Sequence, residues 1–187
     1  MGTDQIRVLS FDSKKLFTVE EDLTINTKKG SGPRHLTFHP NGKFAYCIEE
    51  ISGTVSTYKY DNGRLERIDR DPSYERLQDD HSSADIHISP DGRHLYASNR
   101  QEENSLSIFS INQSDGTISV IGHQSTHGTI PRSFVIDPSG EFLLVANRTS
   151  NQIIVFKRDS KTGLLTKKKE VINVSQPSSL KMRTYRN

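Results

Sequence analysis

A turn of the form Pro-x-Gly returns at a fixed period along this chain, and no other feature narrows the possible folds as far. Pro40-Asn41-Gly42 recurs as Pro90-Asp91-Gly92 and as Pro138-Ser139-Gly140, at spacings of 50 and 48 residues. Self-similarity in that range marks architectures that stack or circle one supersecondary unit. Short β-forming runs precede each turn: Leu36-Thr37-Phe38, Ile86-His87-Ile88 and Phe134-Val135-Ile136. Others follow it, from Phe44 to Ile48, Leu95 to Ser98 and Leu143 to Ala146. Two strands joined by such a turn form a hairpin.

A third run in each copy alternates apolar and polar residues: Val55 to Tyr60, Leu106 to Ile111 and Ile153 to Lys157. That is the period of a half-buried strand. These runs end at Asn62-Gly63, Asp115-Gly116 and Thr162-Gly163, and a short fourth run follows at Leu65, Ile118 to Ile121 and Leu164-Leu165. Four antiparallel strands per repeat of about 45 to 50 residues make a β-propeller blade. The predicted fold is therefore all-β, with about three complete blades at 33–71, 83–122 and 131–174 and a partial blade at each end. Residues 5–16 read best against 152–163, a third strand and its turn, so 4–27 is expected to be a blade fragment. Residues 177–183 match the start of the blade at Pro131 and are expected to form a final single inner strand. At this repeat length 187 residues hold only about four blades, the lower limit for a closed ring or a part of a larger one. Open edges at both ends would favour either a homodimer in which 178–182 pairs with 5–11 of a second copy or a marginal, aggregation-prone species.

Composition limits the function classes. A net charge of +2 is too close to neutral to imply a nucleic-acid partner, and no apolar run is long enough to span a bilayer. The start of the chain lacks the basic and apolar pattern of a secretory signal, so a cytoplasmic setting is expected. The single cysteine, Cys47, rules out an internal disulfide and a cysteine zinc cluster, and its place within a strand suits a small buried hydrophobe. Lys167-Lys168-Lys169 reads as a solvated outermost strand. No His/Asp/Glu spacing resembles a metal site and no cofactor is expected. His39, in the turn, reads as structural.

The repeat also selects candidate site residues. Ten residues after the turn proline stand Glu50, Arg100 and Arg148, and nine after it Glu49, Asn99 and Asn147. Six before it stand Arg34, Ala84 and Arg132. Repeat-equivalent side chains sit at similar height around a propeller axis, where a pocket is lined. Arg34 and Glu50 fall at the same end of one blade. An arginine there can polarise a carbonyl or grip an anion while a carboxylate activates water, or the two can form a plain ion pair that ties two loops. His35 and His87 lie on inner strands, facing either the axial channel or the core. The long polar connection from Asp71 to Ser82 could border the same face.

Gly32-Pro33-Arg34-His35-Leu36-Thr37-Phe38-His39-Pro40-Asn41-Gly42-Lys43, Ala84-Asp85-Ile86-His87-Ile88-Ser89-Pro90-Asp91-Gly92-Arg93, Ser98-Asn99-Arg100 and Pro131 to Pro138 together resemble the lactonase family of seven-bladed propellers, the 6-phosphogluconolactonase type, which also includes carboxy-cis,cis-muconate lactonising enzymes. The resemblance implies that the chain corresponds to the C-terminal half of such a ring. It implies a sugar-lactone hydrolase acting on 6-phospho-glucono-lactone in the pentose phosphate route. The alternatives are a muconate-lactonising isomerase and an inactive propeller fragment that serves only in assembly. By the same resemblance Arg34, Glu50 and Arg100 are catalytic, with Glu50 as general base. His35, His87 and Arg132 are the expected contacts to the small anionic substrate, the two histidines where their strands turn them to the axial channel rather than to the core. Where relatives usually read Asn-Glu after the second inner strand, this chain has Glu49-Glu50.

Overall fold

The computed structural model describes residues 2–14, 16–77 and 79–185. Its first strands, β1 (Gln5–Ile6), β2 (Leu9–Asp12), β3 (Leu16–Val19) and β4 (Ile25–Asn26), form two short antiparallel pairs, β1 with β4 and β2 with β3. A 3-10 turn at Glu21–Leu23 interrupts what is otherwise one long hairpin. Leu16 takes a φ of 62°, in the left-handed region that Gly163 occupies at the matching position with φ 77°.

Three four-stranded antiparallel sheets follow, each a simple meander from inner to outer strand. The first runs β5 (Pro33–Phe38), β6 (Phe44–Glu49), β7 (Thr54–Asp61) and β8 (Arg64–Pro72). The second runs β9 (Ser83–Ile88), β10 (His94–Asn99), β11 (Ser105–Ile111) and β12 (Ile118–Ser125). The third runs β13 (Pro131–Ile136), β14 (Phe142–Asn147), β15 (Gln152–Arg158) and β16 (Leu165–Asn173). Lys167, Lys168 and Lys169 fall on β16, the outermost strand of its sheet. No helix among the described residues is long and apolar enough to cross a membrane.

The sheets lie face to face, which explains why β6 is buried along its whole length although its residues alternate sides. Phe44, Tyr46 and Ile48 pack with Val55 against Ile86, Leu95, Ala97 and Phe109 of the next sheet. Ala45 and Cys47 point the other way, to a cluster with Ile6, Ile25 and Leu36. Burial pushes the Cys47 thiol up to about 12, as expected of a packed rather than a reactive cysteine. The second interlayer repeats the first, with Tyr96, Leu106 and Ile108 against Phe134, Leu143, Val145 and Phe156. Hydrogen bonds recur with the same period: Tyr46 donates to the Gly116 carbonyl at 2.9 Å and Tyr96 to the Gly163 carbonyl at 2.7 Å. Each of these glycines has a positive φ and lies under a ring of the preceding blade, so that a Cβ at Gly116 would stand 2.4 Å from Phe44 Cδ1. His39 is indeed a turn anchor, with Nε2 2.8 Å from the Gly92 carbonyl oxygen of the next blade.

One expected element is absent. Residues 177–183 form no strand. An inner strand is held only by the second strand of its own blade, as β13 is by β14, and no described segment pairs with 177–183. The segment instead lays Ser178 to Lys181 along the cavity described below.

Candidate active site

Two linked groups of side chains occupy the end of the sheets where the inner strands begin. The first is an ion-pair network centred on Glu50, which follows β6. Arg34 Nε lies 2.9 Å from Glu50 Oε2, and Arg100 Nη2 bonds the other carboxylate oxygen, Oε1. Arg100, just past β10, also donates from Nε to the Ser82 carbonyl and from Nη2 to the Ser83 carbonyl, both at 3.2 Å. The connection from β8 to β9 thereby takes part in the site. The backbone at Glu50 is equally committed: its N–H donates to Gly32 O at 2.7 Å, and its carbonyl accepts from Ser83 N–H at 3.1 Å. The three side chains are 15%, 14% and 10% exposed for Arg34, Glu50 and Arg100.

The second group lines a cavity of about 560 Å³ between β5, β9, β13 and the 177–183 segment. Arg34, His35, His87 and Arg132 line it, with Asp85, Ser133 and Lys181 among their neighbours; Glu50 and Arg100 are not part of the lining. Arg34 thus belongs to both groups. Burial and the charges of Arg100 and Arg132 draw its guanidinium below its ordinary range, against the pull of Glu50 and Asp85. Arg34, Arg132 and Lys181 set three cations against the single carboxylate of Asp85, so the cavity suits an anion.

Asp85 is the site residue that sequence reasoning passed over. It stands five residues before its turn proline, as do His35 and Ser133 before theirs, so these side chains share one height around the axis. Its Oδ1 lies 2.8 Å from His35 Nδ1 and accepts the Ile86 N–H at 3.1 Å. Its Oδ2 lies 3.3 Å from His87 Nε2 and accepts the Phe134 N–H at 3.1 Å. Burial alone would raise this carboxyl, but the hydrogen bonds from His35, His87 and Phe134 outweigh it and hold the group far below the usual carboxylate range. The one sequence signal was the shared register with His35.

Glu49 answers the departure from the usual Asn-Glu pair. It is fully buried and accepts from Arg70 Nη2 at 2.7 Å, Thr54 Oγ1 at 2.7 Å and Ser56 Oγ at 2.8 Å. Its repeat equivalents are also structural: Asn99 accepts from Ser73 and Ser83, and Asn147 donates to the Thr126 carbonyl. Asn99 and Asn147 tie their blades to the incoming loops, whereas Glu49 ties β6 to β7 and β8 of its own blade, where Arg70 neutralises its charge.

A family model described as "Lactonase, 7-bladed beta-propeller" matches residues 1–182. A 6-phosphogluconolactonase of Formosa agariphila is 49% identical over 188 residues, covering 99% of this chain and 53% of the relative. A crystal structure from Bacteroides fragilis, provisionally named a 6-phosphogluconolactonase, superposes with a TM-score of 0.91 at 42% identity, over 96% of this chain and 52% of that one. The periplasmic gluconolactonase of Pseudomonas aeruginosa gives a TM-score of 0.88 at 33% identity, over 94% and 50%. This chain spans about half the length of the relatives it matches. As the motifs from Gly32 to Pro138 foreshadow, the chain belongs to the lactonase family of seven-bladed β-propellers.

Proposed function

We propose that the protein hydrolyses 6-phospho-glucono-lactone, opening the ring ester of a phosphorylated sugar acid in the pentose phosphate route. The observation that carries the reading is the cavity in which Arg34, Arg132 and Lys181 outnumber Asp85. The name carried by relatives up to 49% identical supports the same reaction. In this reading Arg34 faces the lactone carbonyl and stabilises the oxyanion that forms on attack, while Arg132 and Lys181 hold the phosphate. Glu50 takes a different part from the general base that the family resemblance suggests. Both of its oxygens are held by arginines and it does not line the cavity, so it fixes the direction of Arg34 and Arg100. The reaction is assigned to the cytoplasm, where phosphorylated sugars are made, and fractionation of the native protein tests that assignment.

The decisive experiment supplies 6-phospho-glucono-δ-lactone, generated in situ, and follows acid release. Acceleration well above spontaneous hydrolysis, with much weaker action on unphosphorylated glucono-δ-lactone, is expected. A rate equal to the spontaneous one would overturn the proposal.

A further inference from the structure

Ester hydrolysis needs a group that takes a proton from water, and that group must reach the cavity with a free lone pair. Glu50 does not meet the second condition: its oxygens are turned to Arg34 and Arg100 and it does not line the cavity. His35 does. Its side chain is 46% exposed and lines the cavity. Its Nδ1, 2.8 Å from Asp85 Oδ1, faces a carboxylate that can only accept, so the proton of the neutral ring belongs on Nδ1 and the lone pair on Nε2. Arg34 Nη1 lies 2.9 Å from Nε2 and 3.5 Å from Nδ1. A donor on the axis of the Nε2 lone pair would stand about 5 Å from Nδ1, across Cε1, so the 3.5 Å distance puts Nη1 beside the imidazole and well off that axis.

Taking lactone hydrolysis as the reaction, we propose that His35 is its general base and that Asp85 is the positioning residue that fixes the ring and its tautomer. Asp85 is suited to the part. Its side chain is 8% exposed, and backbone N–H groups of two adjacent blades, Ile86 and Phe134, hold its oxygens. Its own N–H donates to Ser98 Oγ at 3.0 Å. His87 stands farther off at 3.3 Å, with its ring set edge-on to Phe134 at 4.8 Å between centroids, and serves as a second donor that keeps the carboxylate in place.

The proton and electron count closes. Nε2 takes a proton from water as the water oxygen bonds to the lactone carbonyl carbon, and the carbonyl π pair moves onto its oxygen beside Arg34. Collapse of that intermediate breaks the bond from the carbonyl carbon to the ring oxygen. The ring oxygen leaves with the electron pair and receives the proton from Nε2, so His35 ends neutral and the new carboxylic acid gives its proton to solvent.

The test has three readouts on the same chain. In protein labelled with 15N-histidine, long-range 1H–15N spectra are expected to show His35 as the Nδ1–H tautomer, and Asp85→Asn is expected to shift it toward Nε2–H. In kinetics, His35→Gln and Asp85→Asn should lower kcat by about 10²- to 10⁴-fold with KM little changed, and His35→Ala should regain rate with added imidazole. A role in packing alone would not respond to imidazole. In the wild type, kcat/KM should fall toward acid pH along a limb that His35→Gln abolishes. Arg34 on its own strand and Asp85 from β9 contact the ring, and His87 from β9, Arg132 from β13 and Lys181 from the 177–183 segment line the same cavity, so the limb must survive Lys181→Met to be assigned to His35. An Nε2–H tautomer in the wild type, or an active wild type matched by His35→Gln, would overturn the proposal. A wild type that does not accelerate lactone hydrolysis overturns the function assigned above instead, and the tautomer spectra tell the two failures apart.

Discussion

Replacing Glu50 by glutamine removes one charge from a network that holds three. Arg34 and Arg100, 15% and 10% exposed, would face a neutral amide. One end of that amide is itself a donor, and it would meet a guanidinium N–H. Removing one partner of a buried ion pair costs about 3 to 5 kcal/mol, because the remaining charge is left in a poorly solvating site. The slight exposure of all three groups argues for the lower end, about 3 kcal/mol. For a domain of this size each kcal/mol moves Tm by about 2 to 4 °C, so Glu50→Gln should lower Tm by about 6 to 12 °C. Differential scanning calorimetry reads it directly, and denaturant unfolding at fixed temperature gives the free energy independently. A catalytic carboxylate standing free at the rim would behave otherwise, with activity lost and Tm unchanged. A Tm within about 2 °C of wild type would therefore refute the anchoring role argued for Glu50.

Two further outcomes are expected. Burial and the charge of Asp69 push the Asp71 carboxyl up to about 6, and its Oδ2 has no hydrogen-bond partner among the described residues. The folded state therefore resists the charged form: the penalty is absent below the ordinary carboxylate value near 3.9, grows through the window up to about 6 and is complete above it. Asp71→Asn should stabilise the protein by about 1 to 2 kcal/mol at pH 7, after allowance for partial solvation, and by nothing at pH 4; urea unfolding at the two pH values checks this, and equal effects at both would refute it. Arg158, 1% exposed, donates to Tyr96 Oη at 2.9 Å, to Gly140 O at 2.9 Å and to Asp91 Oδ2 at 3.0 Å. Arg158→Met should cost about 3 to 5 kcal/mol by stranding those acceptors between two blades, and a change below about 1 kcal/mol in the same assay would show that the cluster is solvated.

The Pro-x-Gly period carried most of the architecture because a propeller blade is a local object. Its four strands follow one another along the chain, so turn spacing and alternation contain nearly all the information that their pairing needs. Arg34 and Glu50 were also within reach, since one hairpin brings them to the same end. Asp85 was not. An aspartate beside Ile86 and His87 on a strand looks like any polar residue in alternation, and its significance depends on His35, 50 residues away on another blade. Glu49 likewise needed its partner Arg70, 21 residues on, to be recognised as a tether rather than a reactive neighbour of Glu50. Residues 177–183 have the sequence of an inner strand, but strand formation depends on a neighbour that local pattern does not supply.

The doubly committed Glu50 bears on how this protein can be engineered. Propeller blades invite exchange as modules, because each is a contiguous segment closed by its own turns. Here the carboxylate of one blade is read by its own arginine and by Arg100 of the next, while its carbonyl receives the first N–H of the following sheet. A transplanted blade would arrive with its half of that contract unsigned. Chimeras that cut between residues 50 and 100 should work only when donor and recipient share both arginines, whereas seams placed past Arg100 leave the joint whole.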